Sequence, residues 1–157
     1  MRPTATMISE YTATLFTGYR QFLLQDPEYP ELDEGPRTSE IAIAGTGMVE
    51  FNCVGQFPEP TVRFEVWSGR PIGGPVDEIP GFEGLFDVVN PLVVLGSPTS
   101  ASTDLAIPLP RSGPYAVQAW RYLPAESSES RIIPGAQVEP EDWLIRIWPH
   151  CPDESDC

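Results

Sequence analysis

The residues in this sequence that could do chemistry are mostly carboxylates: 23 aspartates and glutamates stand against nine arginines, one histidine and no lysine. Carboxylates can hold a metal ion, act as a general acid and base pair, or imitate the phosphates that a basic protein binds. Asp26, Glu28, Glu31, Asp33, Glu34 and Glu40 crowd one proline-interrupted stretch, and Asp77, Glu78 and Glu83 fall in a second. Calcium takes about six to eight oxygens from closely spaced loop positions. Neither Asp33-Glu34-Gly35 nor Asp77-Glu78 has the spacing of a calcium loop, so no metal or other cofactor is expected. A glycosidase pair is defined by tertiary distance and cannot be read from spacing. Long-range attraction to a cationic partner needs only the charge, which here is formally −14.

Other chemistries are closed off by composition. Without lysine there is no P-loop amine, no Schiff base and no kinase-type ATP anchor. A histidine-based triad would have to use His150, seven residues before the last residue of the sequence. Ser97, Ser100 and Ser102 lie in a polar turn without the G-x-S-x-G elbow. Cys53, Cys151 and Cys157 lack metal-ligand spacing and read as one buried thiol and two tail thiols. The net negative charge would repel nucleic acid and anionic membrane faces. No apolar run approaches the roughly 18 residues of a membrane span, and the N-terminus has no secretory apolar core, so a cytoplasmic location is expected.

Strands must position these groups, because nineteen prolines and thirteen glycines leave little room for helices. The pattern predicts strands over 12–24 with a bend at Gly18, two short runs about the Gly-Thr-Gly of 41–55, and Thr61–Ser68. Further strands are expected over 87–95, 104–109, 114–122 and 143–149. Loops are expected over 26–40 and 69–86, with a short helix conceivable at 77–86 or 138–142. Val62, Phe64 and Val66 point one way, while Arg63, Glu65 and Trp67 point the other. That polar company makes Trp67 a candidate exposed anchor, whereas Phe51, Phe64, Trp120 and Trp143 read as core. The sum is an all-β chain, an antiparallel β-sandwich of about eight strands. It forms one domain over 1–157, with a core over about 11–149 and an acidic tail over 150–157. Gly113-Pro114-Tyr115-Ala116-Val117 is similar to a tyrosine corner, in which the phenol bonds back to the preceding turn.

Two stretches carry a family likeness: Tyr19-Arg20-Gln21-Phe22, and the run from Leu109 to Glu126. In the second, Leu109, Pro110, Gly113, Tyr115, Val117 and Trp120, followed by Pro124-Ala125-Glu126, resemble the L-P-x-G-x-Y-x-[LV]-x-x-W and P-A-E pattern of the competence protein J family of DNA-entry nuclease inhibitors. One extra residue separates Pro110 from Gly113, and the loops at 26–40 and 69–86 do not look like family features. The resemblance implies a small cytoplasmic all-β protein that binds and blocks a nuclease. It supplies no inhibitory residues by position, so the site is assigned on physical grounds.

The expectation is therefore a non-enzymatic, immunity-like protein that occludes a basic enzyme, a nuclease first among them. Its contact residues would be Asp26, Glu28, Glu31, Asp33, Glu34, Asp77, Glu78 and Glu83, with Tyr29 or Trp67 as an apolar anchor. The alternative is a sandwich module that binds sugar or calcium through Trp67, Trp143, Trp148 and the loop acids.

Overall fold

The computed structural model describes residues 5–15, 20–28, 41–54, 58–72, 81–96, 105–122 and 139–151. Ten strands run through them: β1 (Met7–Thr14), β2 (Gln21–Gln25), β3 (Ala42–Ala44), β4 (Met48–Asn52), β5 (Pro58–Trp67), β6 (Phe82–Val88), β7 (Leu92–Gly96), β8 (Leu105–Pro108), β9 (Gly113–Tyr122) and β10 (Glu139–Pro149). They form two five-stranded sheets, ordered β1-β5-β10-β9-β6 and β3-β4-β2-β7-β8. The described residues contain no helix.

Alternation makes the strands. In β5, Val62, Phe64 and Val66 are fully buried, while Arg63 on the other face is exposed. In β10, Trp143, Ile145 and Ile147 do the same from the neighbouring strand, two residues apart. Phe22 stacks on Phe51 at 4.9 Å between ring centroids, and Trp143 meets both edge-on at 5.0 and 5.7 Å, so the two sheets share one aromatic centre. Truncating such a ring to alanine costs about 3–5 kcal/mol.

The architecture corrects the sequence reading in several places. The 12–24 run is two strands, β1 and β2, placed in different sheets. The 87–95 run also divides, because the Asn90-Pro91 step interrupts pairing and sends β7 into the second sheet. The segment expected to be irregular up to Phe86 contains β6, and the two places where a short helix was conceivable hold β6 from Phe82 and β10 from Glu139. In β3, Ala42 faces the core, and Gly45-Thr46-Gly47 turns the chain into β4. One pairing is parallel: β10 runs alongside β5 from Glu139 opposite Pro58 to Ile147 opposite Val66. Parallel neighbours need a long connection, and here β6 to β9 lie between them in the chain.

Beyond the free edge of the first sheet, β6 comes close to the β3–β4 hairpin. The Asp87 amide donates to the Thr46 carbonyl at 2.6 Å. At Gly84 a Cβ would stand 2.8 Å from the Phe82 ring and 3.3 Å from the Ala44 Cβ, so a side chain there would displace that ring and press on the neighbouring hairpin.

The tyrosine corner is present. Tyr115 is fully buried and its hydroxyl donates to the Arg111 carbonyl at 2.6 Å. Gly113, at φ +118, adopts the left-handed backbone that lets the corner close.

Candidate partner-binding face

Carboxylates in the structure fall into two populations. Among the described residues four are buried, and each is used internally. Asp26 is fully buried, with Oδ1 accepting the Glu28 amide at 2.9 Å and Oδ2 accepting the Val89 amide at 2.6 Å. Glu141 accepts the Val54 amide at 2.8 Å and the Trp143 indole at 3.3 Å. Glu50 accepts from the Gln21 side chain at 2.6 Å. Glu65 receives the Trp67 indole at 2.9 Å, Arg146 Nε at 2.8 Å and Arg63 Nε at 3.1 Å. A buried carboxylate is tolerated only when donors replace its lost water.

Asp26 is therefore a correction to the sequence reading. It does not face a partner; its carboxylate fastens the turn after β6, because buried backbone amides there require an acceptor.

The exposed population has a direction. The outward side of the first sheet carries Glu10, Glu59, Glu83, Asp87 and Asp142, all exposed, around the buried Glu65. In the second sheet the five strands contain one charged residue, the buried Glu50. The pleat produces this segregation: in β6 the residues Glu83, Leu85 and Asp87 alternate with Phe82, Gly84 and Phe86, which face the core side.

The middle of the same outward face is tightly packed. Arg146 lies 5.4 Å from the centroid of the Trp67 ring and 5.5 Å from that of Trp120, while its Nε binds Glu65. Arg70 covers Trp148 at 5.6 Å and pairs with Glu83 at 2.9 Å. Three of the four tryptophans thus sit on this face, and Trp143 alone is in the core. Trp120 was expected in the core. It is buried, at 4% exposure, but on the outward side, where Arg146 stacks against it.

The expected contact residues divide accordingly. Trp67 and Glu83 share the outward face, on β5 and β6 respectively, with β10 and β9 between them. Trp67 is half-buried, with its indole N–H already committed to Glu65. Glu28 is exposed beyond the end of β2, outside that face. Tyr29, Glu31, Asp33, Glu34, Asp77 and Glu78 lie outside the described residues. The sequence reading missed Glu10, Glu59, Asp87 and Asp142, although their two-residue offset from inward neighbours was a usable signal.

Cysteine chemistry also differs from expectation. Cys53 is free and buried, and burial is the main cause pushing its thiol up to about 12, with the Glu141 carboxylate adding to it. Cys151 is disulfide-bonded rather than a free tail thiol. Among the described residues no group of three or more His, Cys, Asp or Glu side chains could hold a metal ion.

No protein-family model and no curated protein matches the sequence. Among solved structures the fold matches that of ComJ from Bacillus subtilis, an inhibitor of the DNA-degrading activity of NucA. The TM-score is 0.56 at 16% identity, over 94% of this chain and 100% of that one. The fold of ComJ is therefore the fold of this protein.

Proposed function

We propose that the protein is an inhibitor of a nuclease, acting by occlusion with the outward face of the first sheet. The observation that carries the reading is the likeness to ComJ over nearly the whole chain. The outward carboxylates support it, because they offer charge of the sign that a phosphate-binding enzyme attracts. The mechanism is steric and electrostatic. Acids on the sheet draw a cationic surface in, and the rigid pleat then stands where DNA would lie. Rigidity favours such binding, since little side-chain or backbone freedom is lost on contact.

The sugar-binding reading is weaker. Trp143 packs against Phe22 and Phe51, Trp148 lies under Arg70, and Trp67 is held by Glu65 and Arg146. These rings do not line up as an open stacking platform.

The experiment is a direct titration of the purified protein into a fluorogenic DNA-degradation assay. The enzymes are NucA and any nuclease encoded beside this protein's gene. Loss of activity at a defined stoichiometry, with a complex visible by size-exclusion chromatography, is the expected outcome. Unchanged activity of every enzyme together with no complex would overturn the reading.

A further inference from the structure

Strand β6 presents an outward ridge of Glu83, Leu85 and Asp87, continued by Val89 just beyond the strand. Leu85 is 52% exposed and Val89 58%, whereas Phe86 and Val88 between them are 1% and 2% exposed. Two large apolar side chains thus stand in water on a strand whose inward side is anchored in the core. The backbone beneath them is fixed. β9 pairs with β6 from Phe82 to Val88, Thr46 binds the Asp87 amide, and the buried Asp26 holds the Val89 amide. Resting on the inhibitor reading, we propose that this ridge is the contact edge for the nuclease: Leu85 and Val89 seat in an apolar recess while Asp87 and Glu83 pair with arginine or lysine side chains around it.

Charge selects the class of partner. Among the described residues no cation pairs with Asp87, and Glu83 has only Arg70, in a pair whose side chains are 64% and 43% exposed. Exposed pairs of this kind are weak and can be exchanged for a partner's cation. A second copy of this chain is disfavoured, since a two-fold pairing of the ridge about Leu85 would set Glu83 against Asp87 of the other copy. Nucleic acid is disfavoured by the same carboxylates. A central apolar anchor with charged flanks is a common arrangement in protein recognition, the anchor setting residence time and the charges setting encounter rate.

The test uses the full chain and the nuclease that it inhibits, with association and dissociation followed by surface plasmon resonance. Asp87→Arg should slow association at least tenfold at low salt, with the difference shrinking as salt rises. Leu85→Ala with Val89→Ala should speed dissociation at least tenfold. Asp142→Arg, on the same face but away from the ridge, should slow association by less than Asp87→Arg does. Thermal melts within a few degrees of wild type establish that each variant is folded. If the wild type inhibits and every ridge variant binds like it, the ridge is overturned while the inhibitor reading stands. The ridge is likewise overturned if Asp142→Arg matches the ridge variants, because the contact is then spread over the face. If the wild type neither binds nor inhibits, both fall.

Discussion

Arg146 holds the outward face together, and its removal tests that account. Its Nε meets Glu65 at 2.8 Å, and its guanidinium lies between the Trp67 and Trp120 rings at 5.4 and 5.5 Å. Both ionic partners are buried, with side chains 10% and 4% exposed. Removing one member of a buried pair costs about 3–5 kcal/mol, because the other charge loses its compensation. Arg63 remains 3.1 Å from the second Glu65 oxygen, but it is 55% exposed and water screens it, so the ionic loss belongs near the lower end of that range. Two ring contacts at about 0.5–1 kcal/mol each add to it. Arg146→Met should therefore destabilise the protein by about 4 kcal/mol, a large share of the roughly 5–15 kcal/mol that holds a domain folded. Urea unfolding followed by tryptophan fluorescence measures it. Adding Glu65→Gln removes the stranded charge, so the double variant should be more stable than the sum of single losses predicts, by about 2 kcal/mol. A single-variant loss below about 1 kcal/mol, or strictly additive losses, would refute the account.

Three further outcomes follow from buried groups. Tyr115→Phe leaves the Arg111 carbonyl without its donor and should cost about 1–2 kcal/mol in chemical unfolding; no measurable loss would mean that the corner is decorative. Gly113→Ala keeps open space around the new methyl but forces it to φ +118, so a loss of about 1–2 kcal/mol is expected from backbone strain alone, again by urea unfolding. Cys53 is raised from 9.0 to about 12, so the folded chain keeps the thiol protonated where the unfolded chain ionises. Its effect on stability is flat below pH 9 and unfavourable as pH rises from there to about 12, hence Cys53→Ala should show a shallower alkaline fall than wild type. Cys53 should resist Ellman's reagent in the native protein and react after denaturation without reductant, and three reactive thiols in the denatured chain would contradict the bond at Cys151.

What was legible in the sequence was whatever the pleat writes locally. Val62, Phe64 and Val66 in β5, and Tyr115, Val117 and Ala119 in β9, announced both the strand and its buried side. The tyrosine corner was legible too, because its donor and acceptor are four residues apart. Partnership between distant strands was not. Nothing in Glu139–Pro149 states that this strand lies parallel to β5 and antiparallel to β9, since register depends on the whole sandwich. β6 and β7 merged into one apparent run because Val88 and Leu92 are both apolar and only three residues intervene. Asp26 misled for a similar reason. Its neighbours in sequence are loop acids, and the amide that buries it belongs to Val89, 63 residues away.

The same distinction bears on how far net charge can be read as function. A formal charge of −14 treats every carboxylate alike, yet Asp26, Glu50, Glu65 and Glu141 are consumed by N–H donors inside the fold. Salt screens exposed charges over about 8–10 Å but barely reaches buried, hydrogen-bonded ones. The two populations are thus separable in solution. Raising ionic strength should leave the contribution of the Glu65 network to stability almost untouched while it weakens any attraction exerted by Glu10, Glu83, Asp87 and Asp142. Because the buried acids hold strands and turns while Glu10, Glu59, Glu83, Asp87 and Asp142 stand exposed on the outward side of the first sheet, a surface that would attract a cationic enzyme is also one whose charges can be altered with little cost to the fold.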